Sequence, residues 1–167
     1  MTDIVDQQTR SRMMAGIKGR NTRPELALRR ALHARGFRYR VHSKEVHGRP
    51  DLVLPKRNAV VFVHGCFWHR HEGCRYATTP STRTKFWRAK FEANAARDEG
   101  VREALLTDGW RVAIAWECAL KRPELADLAA ELLAAWLRSE SSEFKIGEAD
   151  VRACRQRGCI ASARQVE

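Results

Sequence analysis

A short segment of the sequence, residues 49–74, concentrates residue types that carry out hydrolysis and bind metals. Asp51 stands at the start of one predicted strand, and His64 ends the next predicted strand along the chain. A carboxylate and an imidazole in these positions can meet across a hairpin, which is the geometry that a hydrolytic metal site needs. His69 follows five residues after His64. We therefore predict a catalytic role for all three; the alternatives are a loop carboxylate facing solvent and a structural histidine.

Four further side chains have the types and spacing of a zinc site. Cys66, His71 and Cys74 lie close together after the second strand, and Cys118 ends a later predicted strand. Together they make a Cys3His set, and four protein ligands leave no open position on the metal. We therefore predict a structural zinc ion that holds a loop with little core of its own. Buried cysteines without a metal are the alternative.

Glu25 has two interpretations that the sequence leaves open. Thr22-Arg-Pro-Glu25 is a capping box, in which the Thr22 hydroxyl accepts the Glu25 amide and the Glu25 carboxylate reaches back to the cap. A glutamate in the first turn of a helix that faces the sheet could also hold a metal-bound water.

Two pairs of adjacent aromatic residues are set among basic residues. Phe67-Trp68 lie inside the predicted metal loop, and Phe86-Trp87 open a predicted helix. Exposed aromatic rings on a rigid loop can wedge between base pairs, at a cost of a few kcal/mol of unstacking. Packing in the core is the alternative, and helical spacing favours it for Phe86 more than for Trp87.

The charge of the chain indicates a polyanionic partner. Its formal net charge is +11, and residues 1–50 alone carry 12 basic against 4 acidic side chains. Simple solubility does not favour such an uneven distribution, so nucleic acid is the first candidate. We predict that the basic amino-terminal segment lies on phosphates.

The remaining cysteines and the overall hydropathy give the expected compartment. No apolar run approaches the roughly 18 residues of a membrane span, and the first residues lack the layout of a signal peptide. Five cysteines, several of them close to histidines, favour metal binding in a reducing environment over disulfides. We therefore expect a cytoplasmic protein. Cys154 and Cys159, separated by four residues and without a nearby histidine, are only weak signs of a metal site.

The periodicity of apolar residues predicts the elements that position these groups. It favours an α/β domain in which a mixed sheet carries helices on its faces. We expect a basic arm over residues 1–21, a catalytic domain over residues 22–138, and a disordered tail over residues 139–167. The predicted helices cover 22–34, 84–106 and 123–137, and the predicted strands cover 37–41, 51–54, 59–63 and 110–116.

At the residues just described, the chain resembles the very-short-patch repair (Vsr) endonucleases, a family of strand-nicking DNA mismatch endonucleases. The resemblance covers about residues 8–138. It is carried by Lys-Gly-Arg-Asn-Thr-Arg-Pro-Glu25, Gly-Arg-Pro-Asp51, Phe-Val-His64-Gly-Cys-Phe-Trp-His69, Thr-Arg-Thr-Lys-Phe-Trp87, Asn94 with Arg97-Asp98, and Trp-Glu-Cys118.

The resemblance implies a restriction-endonuclease-like fold, a zinc-stabilised loop, and Mg2+-dependent incision 5′ to the thymine of a T:G mismatch left by deamination of 5-methylcytosine. It also implies that the protein acts as a monomer on double-stranded DNA that contains this mismatch. Mismatch-repair accessory proteins are further partners that the resemblance implies. Its site residues carry over by position: Asp51 and the main-chain oxygen of Val63 as Mg2+ ligands, His69 as general base, His64 and Glu25 as supporting residues, and Phe67, Trp68 and Trp87 as the intercalating wedge.

Two features of the chain depart from the patterns of this family and of the restriction-like superfold. Gly73 lengthens the interval from His71 to Cys74. The acid-x-Lys motif of the restriction superfold is replaced here by Phe62-Val63-His64. Two other functions compete with mismatch nicking: a zinc DNA-binding module without catalysis, and a restriction-type nuclease that cuts unmodified duplex DNA. The catalytic candidates disfavour the first, and the aromatic wedge disfavours the second.

Overall fold

A computed structural model of the chain describes residues 6, 8, 9, 12, 16 and 19–158. Within these residues, five strands and four α-helices make up the regular structure. The strands are β1 (Arg40–Val41), β2 (Leu52–Leu54), β3 (Ala59–His64), β4 (Arg111–Trp116) and β5 (Glu143–Ile146). The helices are α1 (Arg23–Ala34), α2 (Thr84–Thr107), α3 (Pro123–Arg138) and α4 (Glu148–Arg157).

The strands form one mixed sheet in the order β1-β2-β3-β4-β5. Strand β2 runs antiparallel to both β1 and β3, whereas β3, β4 and β5 run parallel to one another. Parallel neighbours need a long crossover, and α2 supplies it between β3 and β4. The carboxyl ends of β3 and β4 therefore meet at one edge of the sheet, where His64 is the partner of Trp116.

Helices cover both faces of the sheet, as the continuous apolar strands predict. Successive strand residues point to opposite faces, so Val61 packs with α1 and α3, whereas Val60 packs with Leu105 of α2. The larger core includes Leu32 and Leu133, both fully buried. The α/β class and the mixed sheet are thus confirmed.

The turn between β2 and β3 shows how local sequence sets the register of the site. Pro55–Arg57 form a short 3-10 helix, and Asn58 follows with φ 48°. Asparagine tolerates this left-handed conformation better than most residues. The chain therefore reverses at Asn58 and pairs Leu54 with Ala59, which brings the start of β2 to the end of β3.

Two sequence predictions about element bounds are wrong. The strand predicted over 37–41 is limited to Arg40–Val41, because Phe37 turns into the core instead of continuing an alternating edge strand. The region expected to be a disordered tail contains β5 and α4. Its apolar residues are few, but Ile146 and Val151 are buried by the neighbouring sheet and helices, and this packing has no local sequence signature.

Parts of the predicted ends of the chain stay untested. The basic arm over residues 1–21 and the last nine residues, including Cys159, lie largely outside the described residues. Among the described residues, no helix is both long enough and apolar enough to cross a membrane.

The packing of β5 gives a test of whether residues 139–158 belong to the domain. Ile146 is 1% exposed, so Ile146→Ala should lower the free energy of unfolding by about 2–5 kcal/mol through a cavity. The exposed neighbour Lys145 is the matched control, and Lys145→Ala should change the free energy of unfolding by less than about 0.5 kcal/mol. Urea denaturation measures both values. Equal, negligible effects would contradict the assignment of β5 to the core.

Candidate active site and metal centre

Asp51 lies where the antiparallel pair β2 and β3 places it, beside the end of β3. Its Oδ2 accepts a hydrogen bond from the Val63 amide at 2.6 Å. No described residue donates to its other carboxylate oxygen, and the side chain lines an open cleft of about 850 Å3. Burial raises the pKa of Asp51 to about 6; the Val63 amide opposes the rise, and the charge of Glu25 adds to it. A nearby cation would stabilise the charged form of a carboxylate that is buried in this way.

His64 and His69 form a stacked pair at the same edge of the sheet. Their ring centroids are 3.9 Å apart and their planes differ by 9°. His64 is 8% exposed, and burial, followed by the nearby charge of His69, lowers its pKa to about 3. His64 is therefore neutral near pH 7, so the two stacked imidazoles need not both carry charge.

Asp98 completes a dyad with His69 that the sequence did not predict as such. The Asp98 Oδ2 lies 2.5 Å from the His69 Nδ1. Burial raises the pKa of Asp98, but the hydrogen bond and charge of His69 outweigh it, and the net shift is downward. A carboxylate on Nδ1 fixes the tautomer that leaves Nε2 able to accept a proton. This is the arrangement of an oriented general base.

His64, His69 and Asp98 also have ligand atoms close enough to hold a metal. Two ligands of one ion usually keep their atoms about 3 Å apart, given metal-ligand distances near 2.1 Å. The distance of 2.5 Å between His69 and Asp98 is shorter than that. A hydrogen-bonded dyad therefore describes this group better than a metal site does.

The signal that could have identified Asp98 lies in the spacing of α2. Asn94 and Asp98 are one helical turn apart, on the same face. Asn94 donates to the main-chain oxygen of Trp68 at 3.1 Å, and Asp98 binds His69. Both residues thus hold the loop that follows β3. The spacing shows that Asn94 and Asp98 share a face of the helix, but not that this face contacts the loop.

Glu25 is buried at the start of α1, where the Thr22 hydroxyl accepts the Glu25 amide at 3.5 Å, as predicted, but the Glu25 carboxylate binds the amide of Asn21 and not that of Thr22. One carboxylate oxygen accepts the Asn21 amide at 2.9 Å, and the other accepts the Thr22 hydroxyl at 2.9 Å. Arg29 donates to Glu25 at 2.8 Å. Glu25 also lines the cleft with Asp51. The cap interpretation is confirmed, while a role toward a metal-bound water stays a proposal.

The predicted zinc ligands converge in space. The ligand atoms of Cys66, His71, Cys74 and Cys118 all lie within 4.8 Å of one another. The His71 Nδ1 is 3.7 Å from the Cys66 Sγ and 3.5 Å from the Cys118 Sγ. Tetrahedral zinc with its usual bond lengths separates nitrogen and sulfur ligands by about 3.6 Å. The donor set and its geometry therefore fit a structural zinc ion.

The electrostatics of the cysteines agree with a thiolate site. The hydrogen bond with Cys66, followed by the amide of Glu148, lowers the pKa of the Cys118 thiol to about 5 despite burial. The hydrogen bond with Cys118, followed by burial, raises the pKa of Cys66. One thiolate is thus already favoured in this cluster, and thiolate is the form that binds zinc.

The aromatic residues predicted to form a wedge pack with one another. Phe67 contacts Trp68, Trp87 and Phe91 with centroid distances of 5.0, 5.5 and 5.2 Å. We call these four residues the aromatic cluster. Trp68 lines the cleft and is partly exposed, and the Lys90 ammonium lies 5.2 Å from its ring centroid.

The expectation for the second aromatic pair is reversed. Trp87 is 8% exposed, whereas Phe86 is 46% exposed. The helix starts at Thr84 and so turns Trp87 toward the metal loop and Phe86 toward solvent. Helical spacing favoured Phe86 as the inward residue and was wrong, because the loop that covers Trp87 comes from a distant part of the sequence.

Comparison with known proteins identifies the family of the chain. The family model described as DNA mismatch endonuclease Vsr matches residues 2–75. The type II nicking enzyme V.XorIIP of Xanthomonas oryzae pv. oryzae is 48% identical over 130 residues, covering 78% of this chain and 91% of that protein. The DNA mismatch endonuclease Vsr of Escherichia coli is 41% identical over 148 residues, covering 87% of this chain and 94% of that protein. The chain belongs to the Vsr family of DNA mismatch endonucleases.

Proposed function

We propose that the protein is a Mg2+-dependent endonuclease that nicks one DNA strand 5′ to the thymine of a T:G mismatch, as in very-short-patch repair. The observation that carries the proposal is that Asp51 and the dyad of His69 and Asp98 open into one cleft beside the aromatic cluster. Membership of the family supports the same activity. The mixed sheet with helices on both faces supports a restriction-endonuclease-like fold.

In this proposal, Asp51 and the main-chain oxygen of Val63 hold Mg2+. Both residues line the cleft, and Mg2+ prefers oxygen ligands with few protein contacts and several waters. When bound, the ion would polarise the scissile phosphate and offset negative charge on the leaving oxygen. The hydrogen bond from the Val63 amide orients the Asp51 carboxylate and leaves its second oxygen without a donor among the described residues.

His69 is the proposed general base for the attacking water. Asp98 holds the proton on Nδ1 and leaves Nε2 to accept one, and an imidazole suits this exchange near neutral pH. His64 supports the ring of His69 by stacking on it. Glu25 supports the site through the cap of α1 and through its position beside Asp51.

We propose Phe67, Trp68 and Trp87 as the intercalating wedge. A mismatched pair is easier to unstack than a matched pair, so an inserted ring favours the damaged site before any base edge is read. Trp68 is the member best placed to enter DNA first, because it is partly exposed and borders the cleft. The buried Trp87 would act mainly as the support against which the other rings pack.

Zinc is the proposed ion of the cysteine and histidine cluster. Thiolate and imidazole ligands suit Zn2+, whereas the oxygen ligands near Asp51 suit Mg2+. When bound, zinc would fix the loop that carries both Trp68 and His69. The proposed partner is duplex DNA containing a T:G mismatch, bound by a monomer, with mismatch-repair accessory proteins as further partners.

A nicking assay on end-labelled duplexes tests the function. With Mg2+, we expect a single cut 5′ to the thymine of a T:G duplex, no cut in a matched duplex, and no cut when EDTA removes the metal. Cleavage of both strands of matched DNA would favour a restriction-type nuclease. Binding without any cut would favour a DNA-binding module.

The Asp51→Ala variant is the catalytic control for this assay. It should abolish nicking but retain mismatch binding, because it removes a metal ligand and no phosphate contact. Binding is measured by gel shift in Ca2+, and nicking in Mg2+. Residual nicking within tenfold of the unaltered protein would refute the role of Asp51.

The dyad gives a second prediction. Asp98→Asn should lower kcat by about 100-fold or more with little change in KM, because the amide no longer fixes the proton on the His69 Nδ1. Glu99→Gln is the matched control, since Glu99 is exposed and pairs with Arg102 instead. Single-turnover kinetics separate the chemical step from binding. An equal loss in both variants would argue against the dyad.

The two tryptophans should separate stability from recognition. Trp87→Ala should lower the free energy of unfolding by about 3–5 kcal/mol, because the ring is buried. Trp68→Ala should lower it less, but should weaken T:G binding by about 1–3 kcal/mol of lost stacking and reduce discrimination against matched DNA. Thermal unfolding and binding titrations measure the two effects. A Trp68→Ala protein that is strongly destabilised yet keeps its T:G preference per folded molecule would contradict the wedge.

A further inference from the structure

The turn between β5 and α4 lies directly against the predicted zinc ligand His71. A Cβ atom added to Gly147 would lie 2.7 Å from the His71 Cε1 and 3.0 Å from its Nε2. Such contacts are too short for any side chain. The φ of Gly147 is −120°, which every residue adopts. Glycine is therefore required at this position by the imidazole and not by the backbone conformation.

The His71 ring has little room to move away from Gly147. The indole of Trp116 stacks on it, with centroids 4.2 Å apart and planes that differ by 8°. Its Nδ1 faces the sulfur atoms of Cys66 and Cys118. A displacement of the ring would therefore either compress it against Trp116 or move its Nδ1 out of the ligand geometry.

The first amide of α4 contacts a second predicted ligand. The Glu148 N–H donates to the Cys118 Sγ at 3.3 Å, and the start of a helix favours negative charge. The Asp150 carboxylate accepts the Gly147 amide at 2.8 Å, which fixes this end of the helix. Outer contacts of this kind orient ligands and tune a metal site.

We propose that β5 and α4 form the closing wall of the cysteine and histidine metal centre, with Gly147 and Glu148 as positioning residues. Gly147 sets the place of the His71 ring by close contact, and the Glu148 amide holds the Cys118 thiolate by a hydrogen bond. The inference rests on the metal centre proposed above. Metal binding and docking of α4 are then linked, so that each stabilises the other.

Zinc affinity of a Gly147→Ala variant tests the contact with His71. Competition with a chromogenic chelator, without DNA, should show zinc binding weakened by about 10-fold to 100-fold, the usual effect of losing an outer-shell contact. Gly100→Ala is the matched control, because a Cβ at Gly100 meets nothing within 4 Å and alanine suits a helix. Affinity within twofold of both the unaltered protein and this control would overturn the role of Gly147.

A pair of variants at Glu148 tests the hydrogen bond to Cys118 separately. Glu148 is the first residue of α4, a position where proline is well tolerated, so Glu148→Pro removes the amide donor while keeping the helix. Glu148→Ala keeps the donor and removes the carboxylate that pairs with Arg152. Only the proline variant should weaken zinc binding, by about tenfold. Equal affinities of the two variants would overturn the role of the amide, and this pair also decides the proposal if Gly147→Ala does not fold.

Hydrogen exchange tests the linkage in the unaltered protein. Removing the metal with a chelator should lower the protection of amides in α4 at least tenfold, while amides in the middle of α1 should stay protected. Cys118→Ser should reproduce this pattern without a chelator. Unchanged protection of α4 would overturn the linkage. None of these measurements uses DNA, so a failure to nick T:G mismatches would refute the proposed function and leave this inference standing.

Discussion

The site depends on how the loop after β3 is held. This loop carries His69 and Trp68 but contains no strand or helix of its own between His64 and Thr84. Four sets of contacts hold it: the cluster of Cys66, His71, Cys74 and Cys118, the packing of Phe67 and Trp68 on α2, the hydrogen bond from Asn94 to the Trp68 carbonyl, and the pair of His69 with Asp98. A segment without regular secondary structure needs such anchors, since fixing each residue costs about 1–2 kcal/mol of conformational entropy.

The electrostatics of the cleft follow from the same constraint. Asp51 and Glu25 are drawn close together by the hairpin and by the start of α1, and Asp51 remains partly desolvated. The Arg29 guanidinium, which pairs with Glu25, offsets part of this negative charge, and a further cation beside Asp51 would stabilise its charged form. In the same cleft, the buried His64 stacks on His69, and the His69 Nδ1 pairs with the Asp98 carboxylate. The fold thus separates a group suited to bind a cation from a group suited to bind a proton.

The region after α3 has a larger role than its composition indicates. Strand β5 extends the sheet beside β4, and α4 brings Gly147 and Glu148 to the predicted metal ligands. The metal loop therefore lies between the helix α2 and the last helix α4. Residues from three distant parts of the sequence meet there, so a metal ion bound at this cluster, as proposed, would stabilise both the loop and the carboxyl-terminal unit.

The sequence alone indicated the candidate groups and most of the elements that hold them. Residue type and spacing singled out Asp51, His64, His69 and the Cys3His set, because metals and catalytic steps demand particular side chains; the structure brings each group together, and their roles stay predictions. Continuous apolar strands predicted the buried sheet, because a strand that is apolar on both faces must be covered on both sides. Tertiary structure alone decided three features: the partner of His69, the inward position of Trp87 rather than Phe86, and the folding of residues 143–157 into a strand and a helix. Each of these depends on contacts between segments far apart in the chain, and such contacts leave no periodic pattern in the local sequence.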